Sequence, residues 1–397
     1  MKRKIVTGID IGTSVIRIVV SEYLRGESAP RILSLTSKRS RGLRHGYIID
    51  ISEAKKSLRE AIADAERTSN TKIEYAYISM GGISLESSLA DGSVAISKAD
   101  GETGDTDLRR AMEASEANLK KSINRHILQS ISISYKLDGK RVIGRPIGMR
   151  GEILEVKSLF ITCLEQHFED LIHIVESAGI MIEDIIPSPI AESFVVLTRI
   201  QKTVGCILAD IGAETVSIVV FEEGIPISLK VFSIGSMDIT SDIALGLKIS
   251  LDEAEELKIH KEGNNYSKKK LDEIITARLS DIFDLIETQL KKMGKNSLLP
   301  AGIIITGGGS NIEMIEHLAK HSLNIPAKIA SIGITSVVQM PKSSESQIIK
   351  KNIDPSWAVA YGLCTASADK EPEEFSGTRF VRQTGSNLTK WLRQFLP

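Results

Sequence analysis

Apolar and polar positions along this chain follow two different periods. Short apolar runs bounded by Gly, Asp or Ser predict β-strands, whereas apolar side chains that recur every three or four positions predict helices. In the first half, apolar runs at residues 4–9 and 15–20 flank a turn at residues 10–14, which predicts a β-hairpin. A helix is predicted from about Ser52, and a further strand at residues 75–79. This mixture of elements predicts an α/β fold.

The second half of the chain starts again with the same pattern. Residues 205–221 repeat the strand, turn and return strand of the first half. A long amphipathic helix is predicted over about residues 269–293, and a buried strand at 303–306 precedes the run Gly307-Gly308-Gly309. The repeat predicts two related domains whose hairpins oppose each other.

Residues from about 84 to 158 break this repeat. Short alternating segments and one helix predict a small inserted α+β subdomain there. The predicted organisation is a first domain at 1–190 that contains the insertion, a second domain at 191–340, a return to the first domain at 341–367, a flexible linker at 368–385 and a terminal helix at 386–397.

The terminal segment, residues 386–397, has the pattern of a short amphipathic helix. Five apolar side chains fall on one face, namely Leu388, Trp391, Leu392, Phe395 and Leu396. A basic helix with Trp and Phe on its apolar side suits the headgroup boundary of an anionic membrane. We therefore predict a membrane-binding segment. A helix docked on the protein's own core, or a segment that binds a partner, is the alternative.

Composition narrows the class of protein. The chain of 397 residues has 50 basic and 51 acidic side chains, so its net charge of −1 gives no indication of nucleic-acid binding. The apolar start is short and is interrupted by Asp10, and no run reaches the roughly 18 apolar residues of a membrane span. Three separated cysteines, Cys163, Cys206 and Cys364, predict core residues in a reducing cytoplasm. We expect a protein that is neither exported nor integral to a membrane.

The repeated turns carry the candidate chemistry. They read Asp10-Ile11-Gly12-Thr13-Ser14 and Asp210-Ile211-Gly212-Ala213-Glu214-Thr215. Glycine lets backbone N–H groups approach phosphate oxygens, and the hydroxyl groups add donors. The two aspartates suit a Mg²⁺ ion that lies between them and the phosphates, held through water. Gly307, Gly308 and Gly309 leave room for a nucleoside at a helix start. Together these turns predict a clamp for a nucleotide.

Further segments carry a family resemblance. They read RGLRHGYIID at 41–50, YISMGG at 77–82, PIGMRG at 146–151, and IGSMDITSDIA at 234–244 followed by AEELK at 254–258. With the paired hairpins, they resemble the actin, sugar-kinase and heat-shock-chaperone superfamily and, within it, the FtsA family of bacterial cell-division proteins over nearly the whole chain. The resemblance implies an actin-like, ribonuclease-H-like fold of two duplicated β-meander and helix domains. It also implies ATP and Mg²⁺ as ligands, with Glu255 and Lys258 at the nucleoside.

The resemblance implies a structural and interaction protein that uses ATP as an assembly switch. Such a protein would polymerise and bind the C-terminal tail of the tubulin-like FtsZ. It would hold the ring that FtsZ forms on the cytoplasmic face of the inner membrane at the division septum, together with other membrane proteins of the divisome. The alternatives are an FtsA-like protein of type IV pilus assembly, whose partner is a short peptide of an inner-membrane protein, and a small-molecule kinase of the same superfamily.

Three departures from the family pattern bear on hydrolysis. Ala213 and Glu214 stand where glycines are expected, and Ser188 stands where many relatives have an acidic residue that faces the γ-phosphate. A carboxylate near phosphate is repulsive unless it is turned away or paired. Binding is therefore the firmer expectation, and ATP hydrolysis is expected to be slow at most.

Overall fold

The computed structural model describes residues 4–24, 29–119, 124–260, 266–339 and 346–366. Its strands are β1 Lys4–Ile11, β2 Val15–Tyr23, β3 Arg31–Arg39, β4 Leu43–Arg44, β5 Tyr47–Ile48, β6 Tyr75–Met80, β7 Glu86–Ala95, β8 Arg125–Leu137, β9 Lys140–Val142, β10 Ile153–Leu164, β11 Met181–Pro187, β12 Cys206–Ile211, β13 Val216–Glu222, β14 Ile225–Phe232, β15 Ile303–Thr306, β16 Ala327–Ile329, β17 Ile332–Gln339 and β18 Ser346–Ile353.

Helices follow the strands in both halves of the chain. They are α1 Ile51–Ser69, α2 Asp105–Ala117, α3 Glu165–Ser177, α4 Ser188–Val196, α5 Arg199–Val204, α6 Ser236–Leu247, α7 Leu251–His260, α8 Lys268–Lys292, α9 Ile315–Leu323 and α10 Ala358–Thr365, with 3₁₀ turns at Gly308–Asn311 and Pro355–Trp357. No helix in the described ranges is both long and apolar enough to span a membrane.

The first sheet has the strand order β11-β6-β1-β2-β3-β17-β18. The predicted hairpin is present, because β1 and β2 pair antiparallel along their lengths, and β6 runs parallel to β1. Helix α1 packs on β2 and β3 through its buried apolar face. Its start is fixed where Asp50 accepts a hydrogen bond from the Glu53 N–H at 3.0 Å. The predicted helix from about Ser52 is therefore confirmed.

The second sheet contains the repeat, in the strand order β16-β15-β12-β13-β14-β7-β10-β8-β9. Strands β12, β13 and β14 form an antiparallel meander, and β15 runs parallel to β12. The predicted long helix is confirmed as α8, whose buried face includes Leu271, Phe283 and Leu290. The three cysteines are buried free thiols, as predicted.

The inserted segment extends the second sheet. Strands β7, β8, β9 and β10 lie at its far end. Strand β7 meets β14 in the ladder pair Glu86 and Lys230, and Ser87 Oγ accepts a hydrogen bond from the backbone N–H of Leu229 and donates one to its carbonyl. The insertion has its own small core around Leu108 and Leu154 under α2. Strand β10 pairs with both β7 and β8, so the sheet of the insertion continues to Leu164, beyond the predicted limit at residue 158.

Helix α4 connects the halves of the molecule, since it contacts β6 and β11 of the first sheet and β12 and β13 of the second. Helix α4 leads from the first sheet towards β12, and α10 follows β18 and packs against α4 and β1. The chain returns to the first sheet earlier than predicted, because β17, which begins at Ile332, already pairs with β3. The predicted linker at 368–385 and terminal helix at 386–397 lie outside the described residues.

Candidate nucleotide-binding site

The first hairpin turn, residues 10–14, joins β1 to β2. Gly12 is required there because a Cβ atom would lie 2.8 Å from the carbonyl oxygen of Val15. Asp10 stands opposite Arg17 in the β1–β2 register, and its Oδ1 accepts a hydrogen bond from Ser79 Oγ at 2.7 Å. The carboxylate of the first turn is therefore fixed between two strands of the first sheet.

The second hairpin turn, residues 210–215, joins β12 to β13. It is closed by the Gly212 N–H, which donates to the carbonyl of Thr215 at 2.9 Å. Helix α6 begins against this turn, since the Met237 N–H donates to the carbonyl of Ala213 at 2.7 Å. A Cβ atom on Gly235 would lie 2.4 Å from that same carbonyl oxygen. The second turn and the start of α6 therefore form one tightly packed unit.

The glycine turn, residues 307–309, lies on the end of β12. Gly307 has a φ of 82°, and a Cβ atom there would lie 2.1 Å from Asp210 Oδ1. A Cβ atom on Gly309 would lie 2.5 Å from the side chain of Ile211, whereas one on Gly308 would meet nothing within 4 Å. The structure thus brings the glycine turn and the second hairpin turn together.

The aspartates of the two hairpin turns are close enough to interact through their charges. Burial raises the pKa of Asp10, and the hydrogen bond from Ser79 and the charge of Arg17 oppose this rise. Burial first, and then the negative charge of Asp10, raise the pKa of Asp210 to about 7, again against Arg17. The two turns therefore present acidic groups to a common region. A cation there would favour the charged form of both carboxyls.

Glu214 connects the second hairpin turn to the first half of the molecule. Its Oε2 accepts a hydrogen bond from the backbone N–H of His45 at 2.5 Å, and the His45 ring Nδ1 lies 3.0 Å from the backbone oxygen of Glu214. The next N–H along, that of Gly46, donates to Thr13 Oγ1 at 3.0 Å. The short hairpin formed by β4 and β5 thus contacts both hairpin turns.

Glu255 and Lys258 are not a solvated pair. Lys258 is buried, and its ammonium group donates to Glu255 Oε2 at 2.6 Å, to Thr240 Oγ1 at 2.9 Å and to the carbonyl of Ser236 at 3.2 Å. These bonds join α7 to the start of α6. An ammonium group has three donors, and these bonds use all three of them. Lys258 therefore holds α7 against the start of α6, which lies beside the second turn.

Four residues near the aspartates were not found from the sequence: Arg17, Ser79, His45 and Glu192. Arg17 could have been found, because a cation inside an apolar strand falls opposite Asp10 in a hairpin. Glu192 is the only charged residue between residues 185 and 198. It is fully buried in α4, and within the described residues neither carboxylate oxygen has a hydrogen-bond partner. Burial, followed by the charges of Asp210 and Asp10, raises its pKa well above the usual value.

The donor set suits a hydrated cation. No group of three His, Cys, Asp or Glu side chains in the described ranges is arranged to ligate a metal directly. Mg²⁺ usually keeps several of its waters and takes only one or two protein carboxylates. Asp10 and Asp210 supply that number of acidic groups, and their raised pKa values show that ionising both carboxyls at this buried place is costly.

Solved structures share this architecture. A chain of the PilM–PilN type IV pilus biogenesis complex superposes with a TM-score of 0.66 and 18% identity, covering 92% of this chain and 99% of that one. MreB5 of Spiroplasma citri bound to ADP superposes with a TM-score of 0.52 and 13% identity, covering 90% of this chain and 94% of that one. The two sheets and paired hairpin turns therefore define a protein of the actin-like fold.

Sequence relatives narrow the class further. The family "Cell division protein FtsA" matches residues 207–362, and the "SHS2 domain inserted in FTSA" matches residues 82–162. The cell division protein FtsA of Borreliella burgdorferi is 30% identical over 91% of this chain and 91% of its own length. That of Bacillus subtilis is 31% identical over 81% of this chain and 78% of its own length. This chain belongs to the FtsA family of cell-division proteins.

Proposed function

We propose that the protein binds ATP with Mg²⁺ between the two hairpin turns and the glycine turn. The observation that carries this proposal is the pair of buried aspartates, Asp10 and Asp210, which stand at corresponding places of the two hairpins and whose charged forms a cation between them would stabilise. The N–H groups of the turns would bind the phosphates, and the open space at Gly308 would accept the nucleoside.

Thermal unfolding with and without Mg-ATP tests this proposal. A ligand at 100 times its Kd stabilises the folded state by about 2.7 kcal/mol. We expect ATP and ADP to raise the unfolding temperature of the wild type in the presence of Mg²⁺. Asp210→Ala should abolish the shift, whereas Asp284→Ala, at an exposed position of α8, should keep it. A wild type that does not respond to either nucleotide would rule the proposal out.

Hydrolysis in this site is proposed to be slow. Ser188 lies beside Gly81, because a Cβ atom on Gly81 would be 3.0 Å from the Ser188 hydroxyl oxygen. The family resemblance leads us to expect an acidic residue at position 188, and a hydroxyl is a far weaker base than a carboxylate. Phosphate release by the wild type and by Asp210→Ala measures the rate. Several turnovers per second in the wild type, lost in the variant, would contradict a slow switch.

We also propose that the protein forms filaments that hold FtsZ on the membrane. Family membership supports a role in division, and the apolar face of residues 386–397 supports a peripheral membrane contact. One short helix binds weakly, and a filament that presents many copies binds far more tightly. The C-terminal tail of FtsZ, further copies of this chain and other divisome membrane proteins are the proposed partners.

Sedimentation with anionic vesicles tests the membrane contact. Trp391→Glu places a charge in the centre of the apolar face and should leave the protein in the supernatant, still able to bind ATP. Thr389→Glu adds the same charge away from the centre of that face and serves as the matched control. Electron microscopy of the wild type on lipid with ATP tests assembly, and the filament proposal fails if only monomers are present.

A further inference from the structure

The contact between Glu214 and His45 joins parts of the chain that are 169 positions apart. His45 belongs to the short hairpin β4–β5 beside the first sheet, and Glu214 belongs to the second hairpin turn, at the end of β12 in the second sheet. The bond therefore crosses the region in which the two hairpin turns face each other. It uses a carboxylate, which makes stronger hydrogen bonds than a neutral acceptor.

The short hairpin is held in a constrained geometry. His45 has a φ of 48°, a left-handed conformation that is unfavourable for a residue with a Cβ atom. Gly46 follows with a φ of 81°, and a Cβ atom there would lie 2.3 Å from the Cα of Gly82. The hairpin therefore has little freedom on the side of Gly82. On its other side, its two consecutive N–H groups point to acceptors on the hairpin turns.

Each hairpin turn supplies one of those acceptors. The Gly46 N–H donates to Thr13 of the first turn, and the His45 N–H donates to Glu214 of the second. Only the second of these bonds joins the two halves of the molecule. The Glu214 and His45 side chains are about a third exposed, at 28% and 32%, so the bond is neither deeply buried nor free in solvent.

We infer that Glu214 is an interdomain fastener: it ties the second hairpin turn to the β4–β5 hairpin, and so limits how fast a nucleotide enters and leaves the site. The inference rests on the proposed nucleotide site for its effect on exchange, but not for the bond itself. Before the two turns separate, a fastened site must release both contacts between His45 and Glu214, the bond to the carboxylate and the contact of the ring Nδ1 with the backbone oxygen. A hydrogen bond to a charged group favours the closed state over the open state by about tenfold or more. We therefore expect its loss to change amide exchange and nucleotide release by about that factor.

Amide hydrogen exchange of His45 tests the bond in the nucleotide-free protein. We expect the His45 amide of the wild type to be protected, although it lies in a short loop. In Glu214→Ala its exchange should quicken by about tenfold, whereas Glu214→Gln, whose amide oxygen can still accept, should keep much of the protection. The Gly46 amide, bound to Thr13, is the internal control. A wild-type His45 amide that exchanges as a free amide would overturn the inference, whatever the variants do.

Nucleotide release tests the consequence. A fluorescent ATP analogue bound with Mg²⁺ is displaced by excess ATP, and its dissociation rate is followed by stopped flow. Glu214→Ala should release it about ten times faster than the wild type, whereas Glu223→Ala, an exposed change at the far end of the β13–β14 hairpin, should not differ. If the wild type and Glu214→Ala both bind the analogue and release it at the same rate, the inference about Glu214 is wrong and the proposed function stands. Failure of the wild type to bind the analogue contradicts the proposed function, while the His45 amide still tests the fastener.

Discussion

Replacing Glu192 by methionine should stabilise the nucleotide-free protein. Glu192 lies in the middle of α4, fully buried, and in the described part of the chain both of its carboxylate oxygens lack a hydrogen-bond partner. Helix α10 crosses at this point, where a Cβ atom on Gly362 would lie 3.1 Å from the Glu192 nitrogen. Methionine has a similar length and flexibility and no group to satisfy, so it fits the same space without the polar cost.

The size of the effect follows from the missing partners. An unsatisfied buried polar group costs about 1–3 kcal/mol, and replacing it by an apolar group of similar shape recovers much of that cost. Unfolding entropy is about 2.1 cal/mol/K per residue. For a cooperative chain of 397 residues, the gain raises the unfolding temperature by about 1–4 °C.

The gain should depend on pH in a defined direction. Burial raises the folded-state pKa of Glu192 above its ordinary 4.5, and the charges of Asp210 and Asp10 add to the rise. Between these two pKa values the folded state binds more protons than the unfolded state, so wild-type stability falls as pH rises through 4.5 towards the folded pKa. The advantage of Glu192→Met over the wild type in unfolding free energy should therefore be larger at about pH 8 than at about pH 5.5.

Urea unfolding at both pH values, with a chelator and without nucleotide, measures this difference. Glu113→Met, on the solvent-facing side of α2, makes the same chemical change on a helix surface and should stay within about 0.5 kcal/mol of the wild type. Loss of stability in Glu192→Met at the higher pH would refute the reasoning. It would mean that the buried carboxylate of Glu192 carries no net cost in the folded protein.

Three further changes test other contacts. Gly307→Ala puts a Cβ atom 2.1 Å from a carboxylate oxygen at a φ of 82° and should weaken nucleotide binding by at least about tenfold in a titration, whereas Gly308→Ala, with nothing within 4 Å, should bind nearly as the wild type does. Gly362→Ala, with a Cβ atom 2.0 Å from the carbonyl oxygen of Ala191, should lower the unfolding free energy by about 1–3 kcal/mol in urea. Burial lowers the pKa of Lys202 from 10.5 to about 8, so wild-type stability should rise with pH between these two values. Lys202→Met should therefore stabilise the protein clearly at about pH 7 and little at about pH 10, and an equal gain at both would contradict this.

Local sequence signals predicted the parts of the site that are made by neighbouring residues. Each hairpin turn is formed within one Asp-Ile-Gly segment, so its geometry follows from glycine and from strand pairing nearby. The glycine turn after β15 could be predicted from its own run of three glycines at the end of a buried strand, whereas its packing on Asp210 and Ile211 is a contact between distant segments.

Contacts between distant segments could not be predicted in this way. The bond from His45 to Glu214 depends on how two sheets are placed relative to each other, and a carboxylate at position 214 read alone suggests only repulsion of phosphate. The insertion joins the second sheet through one ladder pair, Glu86 and Lys230, and through hydrogen bonds between Ser87 and the backbone of Leu229, and so short a contact leaves no periodic signal in either strand. Sequence patterns report burial within an element, but they do not report which element covers it.

Glu192 is a third buried carboxyl group within the electrostatic reach of Asp210 and Asp10. Burial is the largest cause of the raised pKa of all three carboxyl groups. The charge of Asp10 adds to the rise at Asp210, and the charges of both aspartates add to it at Glu192, while Arg17 opposes the rise at the two aspartates. A divalent cation bound with a nucleotide at the proposed site would lower the electrostatic cost of ionising all three carboxyl groups. Glu192 lies on α4, the helix that contacts both sheets, so this cost acts where the two halves meet. Occupancy of the proposed site would thereby be coupled to the packing around α4 through charge, in addition to any contact that the nucleotide makes.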